Sequence, residues 1–188
     1  EALEQIEATL NAQDTSADYA LTTLARCEAA ILHWRLGRTD QARRHLQAAP
    51  AEGAAPSIRA AWLVTRARVT GLSPRQGLAL VDEALQVIQA EGHQYYRVAL
   101  LRERALLLPP EAGLPVAEEC LRRCREGSGF AAALDPALQA VAEILWRLDR
   151  AGEALAIAHE MRERIRVRPP VASSPPLCWW TIARVLAV

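Results

Sequence analysis

The chain has 188 residues, 51% of them hydrophobic, so it can bury a core without disulfides or metal. Twenty-two basic and twenty-two acidic residues balance to zero, which disfavours nucleic-acid binding through this segment because no net field holds a phosphate backbone against salt. Every basic residue is arginine, and the lack of lysine excludes Schiff-base chemistry, cofactor-anchoring lysines and a P-loop.

Taken in chain order, the apolar residues recur at steps of three and four, and no segment keeps the alternation of a strand, so the class is all-α. Helices are predicted at about 1–11, 17–36, 39–49, 56–69, 74–91, 94–108, 114–126, 135–148, 151–166 and 175–188, with ends uncertain by roughly 2–4 residues. The second carries two apolar stripes, Leu24, Cys27, Ile31 and Trp34 beside Leu21, Ala25, Ala29, Leu32 and Leu36, and is expected to be sandwiched, with Trp34 in the core. The fifth has the single stripe Leu78, Val81, Leu85 and Ile88 and is expected to keep one face in water. Ser73-Pro74, Asp135-Pro136 and Ser174-Pro175 read as helix starts, an acceptor side chain followed by proline at the first helical position.

One skeleton is written twice. Trp34, Arg35, Leu36, Arg38 and Ala42 return as Trp146, Arg147, Leu148, Arg150 and Ala154, displaced by 112 residues (34 to 146). Turns at Gly37, Gly71, Pro109-Pro110 and Asp149 divide that distance into intervals of 34, 39 and 39 residues, counted between positions 37, 71, 110 and 149. This spacing predicts a tandem array of helix pairs in one helical-repeat domain spanning residues 1–188; a lone pair cannot bury its apolar face, whereas stacked pairs share a core.

Within that array, LGRTDQARRHLQAA, Leu36 to Ala49, resembles the turn and second helix of a tetratricopeptide repeat. Gly37 stands at the inter-helix turn, and Ala42, Leu46 and Ala49 match the small, large, small positions that follow; Asp149, Ala154 and Ala158 match in the fourth repeat. The second repeat departs with Gly77, and the third with Pro109, Pro110 and Gly113 in a lengthened turn. The long intervals are similar to those in the helical-repeat regions of large bacterial transcriptional activators. The resemblance implies a right-handed α-solenoid of about four tetratricopeptide-like helix pairs with flanking helices. In such arrays the first helices line a groove, which makes Arg26, Arg59, Arg66 and Arg102, with His33, Tyr95 and Tyr96 nearby, candidate ligand-binding residues for a carboxylate or phosphate; the alternative is that these arginines pair within their helices with acids such as Glu103.

No catalytic, cofactor or metal site is read from the sequence. His159-Glu160-Met161-Arg162-Glu163 fails as a zinc-protease motif because the second histidine is replaced by Glu163. Cys120 and Cys124 are i, i+4 neighbours in an apolar series, which points to packing. Arg162, Arg164, Arg166 and Arg168 are expected to serve a helix C-terminus and neighbouring acids. Trp179 and Trp180 lie in an apolar last helix that can seal the end of the array; it is expected to pack on the fourth repeat with some of its residues and to meet a second copy or the continuation of a longer polypeptide with the rest. With neither a signal peptide nor a membrane span in sight, the chain is expected to be a piece of a longer cytoplasmic protein that does not engage the membrane. Its expected function is a non-enzymatic protein or peptide interaction module, the sensor or docking region of a bacterial regulator; the competing reading is a small-ligand (inducer) domain. An open polar groove favours the first, an enclosed apolar pocket the second.

Overall fold

The structure, a computed structural model, describes residues 2–12, 19–89, 94–127 and 131–167, together with Thr181, Ala183 and Val185. Among these residues all regular structure is α-helical. The helices are α1 (Ala2–Ala12), α2 (Tyr19–Arg35), α3 (Thr39–His45), α4 (Pro56–Val69), α5 (Pro74–Gln89), α6 (Gln94–Leu107), α7 (Pro110–Glu126), α8 (Ala131–Arg147) and α9 (Ala151–Val167). None of them is long and apolar enough to cross a membrane. Two compact units divide the chain within α6, at Glu1–Tyr96 and Arg97–Val188.

The repeated skeleton is a repeated helix stop. Gly37 takes φ 73° and Asp149 φ 57°, both left-handed. Arg38 N donates to His33 O at 2.9 Å and Gly37 N to Trp34 O at 3.0 Å; 112 residues on, Arg150 N donates to Leu145 O at 3.0 Å and Asp149 N to Trp146 O at 3.1 Å. These are the paired 6→1 and 5→2 bonds of a Schellman turn, which satisfy the last carbonyls of α2 and α8. The arginine carbonyl then opens the next helix, through Ala42 N to Arg38 O and Ala154 N to Arg150 O. Both alanines have no exposed surface, so each marks the point where the second helix of a pair closes on the first. Gly71, at φ 66°, turns α4 into α5 in the same hand.

In unit 1, α2 packs on α3 and α4, α4 packs on α5, and α1 lies against α2. α5 starts where Ser73-Pro74 predicts, with a capping box: Gln76 N donates to Ser73 Oγ at 3.4 Å and Ser73 N to Gln76 Oε1 at 3.1 Å. Its inner face carries the buried Val81, Ala84 and Ile88, and Gln86 and Gln89 are exposed, as its single stripe requires. α2 departs from expectation. Its buried face is Cys27, Ala29, Ala30 and His33, while Leu21 and Leu36 are 59% and 58% exposed and Trp34 is 36% exposed. Trp34 is therefore at the edge of the core: the small side chains let α3 and α4 approach on one side, and the large ones are turned away.

In unit 2 the sandwiched helix is α8, packed between α7 and α9, with Ala137, Leu138, Ala140, Val141, Ala142, Ile144 and Leu145 all buried. Val185 joins this core at 4% exposure. Two predicted starts are corrected. α8 begins at Ala131 and runs through Pro136, and Asp135 is no cap; it accepts from Arg164 Nε of α9 at 2.8 Å. α7 begins at Pro110, with Gly113 and Pro115 inside it rather than in a lengthened turn. A proline in the second turn forfeits one intrahelical bond, a local cost that burial of the rest of the helix outweighs. Gly113 is there because a Cβ would lie 2.4 Å from Ala105 O of α6.

Each unit thus shows repeating pairwise helix packing, consistent with a helical-repeat architecture.

Candidate functional site

A surface groove runs between α7 and α9 of unit 2, with α8 as its floor. Its volume is about 570 Å³, and it is lined by Leu121, Val141, Leu145 and Ile157 below and by Glu118, Arg122, Arg125, Glu126, Glu153 and Ala156 at the sides. The floor exists because α8 is buried along its length, and the walls are charged because the outer faces of α7 and α9 meet water.

The walls are held by ion pairs. Arg122 donates to Glu119 at 2.8 Å and to Glu126 at 2.5 Å, and Arg150 pairs with Glu153 at 2.6 Å. Arg125 Nη2 reaches Glu160 Oε2 at 2.7 Å and ties α7 to α9. Hydrogen bonds from Arg122 and Arg123 hold the Glu119 carboxyl below the usual carboxylate range, and Arg150 does the same for Glu153. The side chains of Arg122, Arg125 and Glu126 remain 53%, 50% and 60% exposed, so these pairs contribute little energy and are exchanged at small cost.

The arginines singled out on the first helices have other partners. Arg59 Nη2 donates to Glu83 Oε1 at 2.6 Å, linking α4 to α5. Arg66 lies over the Trp62 ring of its own helix, 5.2 Å from the centroid. Arg102, with a side chain 13% exposed, donates to Pro136 O at 3.1 Å and Gln139 Oε1 at 2.9 Å, binding α6 to α8, and pairs with Glu103. Arg26 is half-buried on α2, where its charge helps lower the pKa of His45. Tyr96 is half-buried on α6. The Tyr95 side chain, Trp179 and Trp180 lie outside the described residues.

His33 is 1% exposed, and its Nε2 is 2.9 Å from Glu7 Oε1 of α1. The His33 ring stacks on His45, with centroids 5.2 Å apart and planes 19° from parallel. Burial, then the positive fields of His33 and Arg26, push the His45 pKa below its ordinary value, against the opposing pull of Glu7. No spacing rule announces this trio, because its members sit on three different helices. Cys27, Cys120 and Cys124 are all buried, as a packing role requires, and Cys120 Sγ donates to Val98 O at 3.3 Å.

The groove between second helices was also missed. Its signal was present in the complementary faces of α7 and α9: Glu118, Arg122 and Arg125 on one, Glu153 and Glu160 on the other, each beside apolar positions. No protein-family model matches the chain, and comparison with curated protein sequences finds no match either.

Proposed function

We propose that this chain is a non-enzymatic interaction module of the tetratricopeptide-like kind, which docks a protein segment or peptide as the sensor or docking region of a bacterial regulator. The observation that carries this reading is the α7/α9 groove, an apolar floor between walls of exposed, oppositely charged side chains. Leu121, Val141, Leu145 and Ile157 offer a patch for one or two apolar anchors, and the alternating charges of the walls fix register and direction. A small apolar inducer needs an enclosure that keeps water from most of its surface. Walls half exposed to solvent suit an extended or helical peptide better.

The test is selection of a random-peptide library on the purified chain, followed by affinity measurement on Arg125→Glu and Ala156→Glu. Both positions are exposed, so the helical circular dichroism should be unchanged. Selected peptides are expected to share spaced apolar anchors and to lose about tenfold or more in affinity on either variant, the equivalent of ~1.4 kcal/mol. Failure to enrich any peptide, or enrichment of peptides indifferent to both substitutions, overturns the reading.

A further inference from the structure

The trio Glu7, His33 and His45 combines two imidazoles and one carboxylate, one ligand atom from each, with all three atoms within 4.8 Å of one another. Its placement follows from the fold. His33 O accepts the Arg38 N–H in the turn that ends α2, which fixes the position of the residue, and its ring is buried at 1% exposure. His45 is the last residue of α3, brought back over His33 by that same turn. α1 lies on α2 and supplies Glu7, whose side chain is 42% exposed.

We propose that Glu7, His33 and His45 bind a divalent transition-metal ion of the zinc, cobalt or nickel class. Two neutral imidazoles and a carboxylate suit such an ion and suit the hard, oxygen-seeking magnesium and calcium poorly. Three protein ligands leave a fourth position for water, the composition of open zinc sites. Metal–ligand bonds of about 2.0–2.1 Å place tetrahedral ligand atoms roughly 3.3–3.4 Å apart. The Glu7–His33 separation of 2.9 Å is slightly short of that, so the ion replaces the hydrogen bond and spreads the pair a little. His45, half-buried, moves inward by a side-chain rotation out of its stack on His33. The partial exposure of Glu7 and His45 gives the ion its entry path and its water.

A plain polar contact sealing a buried histidine accounts for Glu7 and His33 alone. The second imidazole, set beside the first with a ring nitrogen within 4.8 Å of the same carboxylate, is what distinguishes a metal site. Coordination at His33 Nε2 leaves the ring proton on Nδ1, which is buried without a hydrogen-bond partner among the described residues. Ligating histidines in tight sites donate that proton to a neighbour, so this site belongs to the micromolar class rather than the nanomolar one. Bound metal would fasten α1 to the α2/α3 pair and stabilise unit 1, whatever docks in the groove of unit 2.

The experiment is titration of the chain with Zn²⁺ against a chromophoric chelator and with Co²⁺ by its visible d–d absorption, with a parallel thermal scan. One equivalent is expected to bind, to raise the melting temperature and to give the intensified cobalt spectrum of a site with fewer than six ligands. Glu7→Gln and His45→Asn, both at solvent-reachable positions, are expected to weaken binding by at least about tenfold and to abolish the metal-dependent rise in melting temperature. His159→Asn, on the exposed surface of α9, should change nothing. Absence of saturable one-equivalent binding in the micromolar range, or binding that His45→Asn leaves intact, overturns the proposal; both variants can be checked for native helicity in the same samples.

Discussion

Gly37 and Asp149 occupy the same left-handed turn at corresponding points of two helix pairs, φ 73° and 57°, and only one of them is the residue such a turn prefers. A side chain in this conformation carries a cost that glycine avoids, and aspartate is among the residues that tolerate it. Asp149→Gly is therefore expected to stabilise the chain by about 0.5–1 kcal/mol, and Gly37→Ala to destabilise it by about 1–2 kcal/mol. A Cβ at Gly37 meets nothing within 4 Å, so the second effect is backbone strain alone. Urea denaturation of the two variants checks both signs; a destabilised Asp149→Gly would mean that the aspartate side chain holds the turn.

A different glycine is required by proximity rather than by φ. Gly113 of α7 faces Ala105 O of α6 at 2.4 Å from an ideal Cβ, and the obstructing atom is backbone that cannot swing aside. Gly113→Ala should push the two helices apart and cost about 1–3 kcal/mol. Gly152→Ala is the control, since its Cβ meets nothing within 4 Å inside α9; there the gain in helix propensity should stabilise by about 0.5–1 kcal/mol. Thermal melts of the pair should move in opposite directions.

Arg102 and Arg59 belong to the same set of first-helix arginines and should respond differently to removal. Arg102 is 13% exposed and joins α6 to Pro136 O and Gln139 of α8, so Arg102→Met should cost about 1.5–3 kcal/mol through lost charge-assisted hydrogen bonds. Arg59 and Glu83 are 54% and 42% exposed, and Arg59→Met should stay within about 1 kcal/mol. Chemical denaturation of both variants in one buffer measures the contrast. Equal effects would show that Arg102 contributes no more than a surface pair.

Burial pushes the Cys27 thiol up from 9.0 to about 11, with a hydrogen bond to Thr65 opposing and the charge of Glu28 adding. Below pH 9 the thiol is protonated whether folded or not, so it makes no difference to stability there. As pH rises from about 9 to about 11 the unfolded chain ionises Cys27 and the folded chain does not, and stability falls across that window. The loss approaches about 2–3 kcal/mol at its upper end. Cys27→Ala should flatten that part of the curve relative to the unmodified chain, and Cys27 should resist alkylation at pH 8 until denaturant is added.

Much of this protein was legible without its structure because helix periodicity, stop signals and caps are local. Among the described residues nine helices appear where apolar steps of three and four place them, α5 starts at the Ser73-Pro74 signal, and the twice-written W-R-L-x-R-x-x-x-A marks two copies of one turn. Local rules failed where packing outweighs a local cost. Asp135-Pro136 and Gly113 read as a start and a turn, yet both lie inside helices, because the energy of burying α7 and α8 exceeds one lost hydrogen bond or one glycine. Periodicity names the apolar stripes of a helix without choosing among them. Only the neighbours of α2 decided that Cys27, Ala29 and Ala30 go inward and leave Trp34 at the edge, since a close helix crossing selects small side chains. The groove walled by α7 and α9 and the meeting of Glu7, His33 and His45 join residues from separate helices. Distances of that kind are set by how helices pack, and no spacing along the chain encodes them.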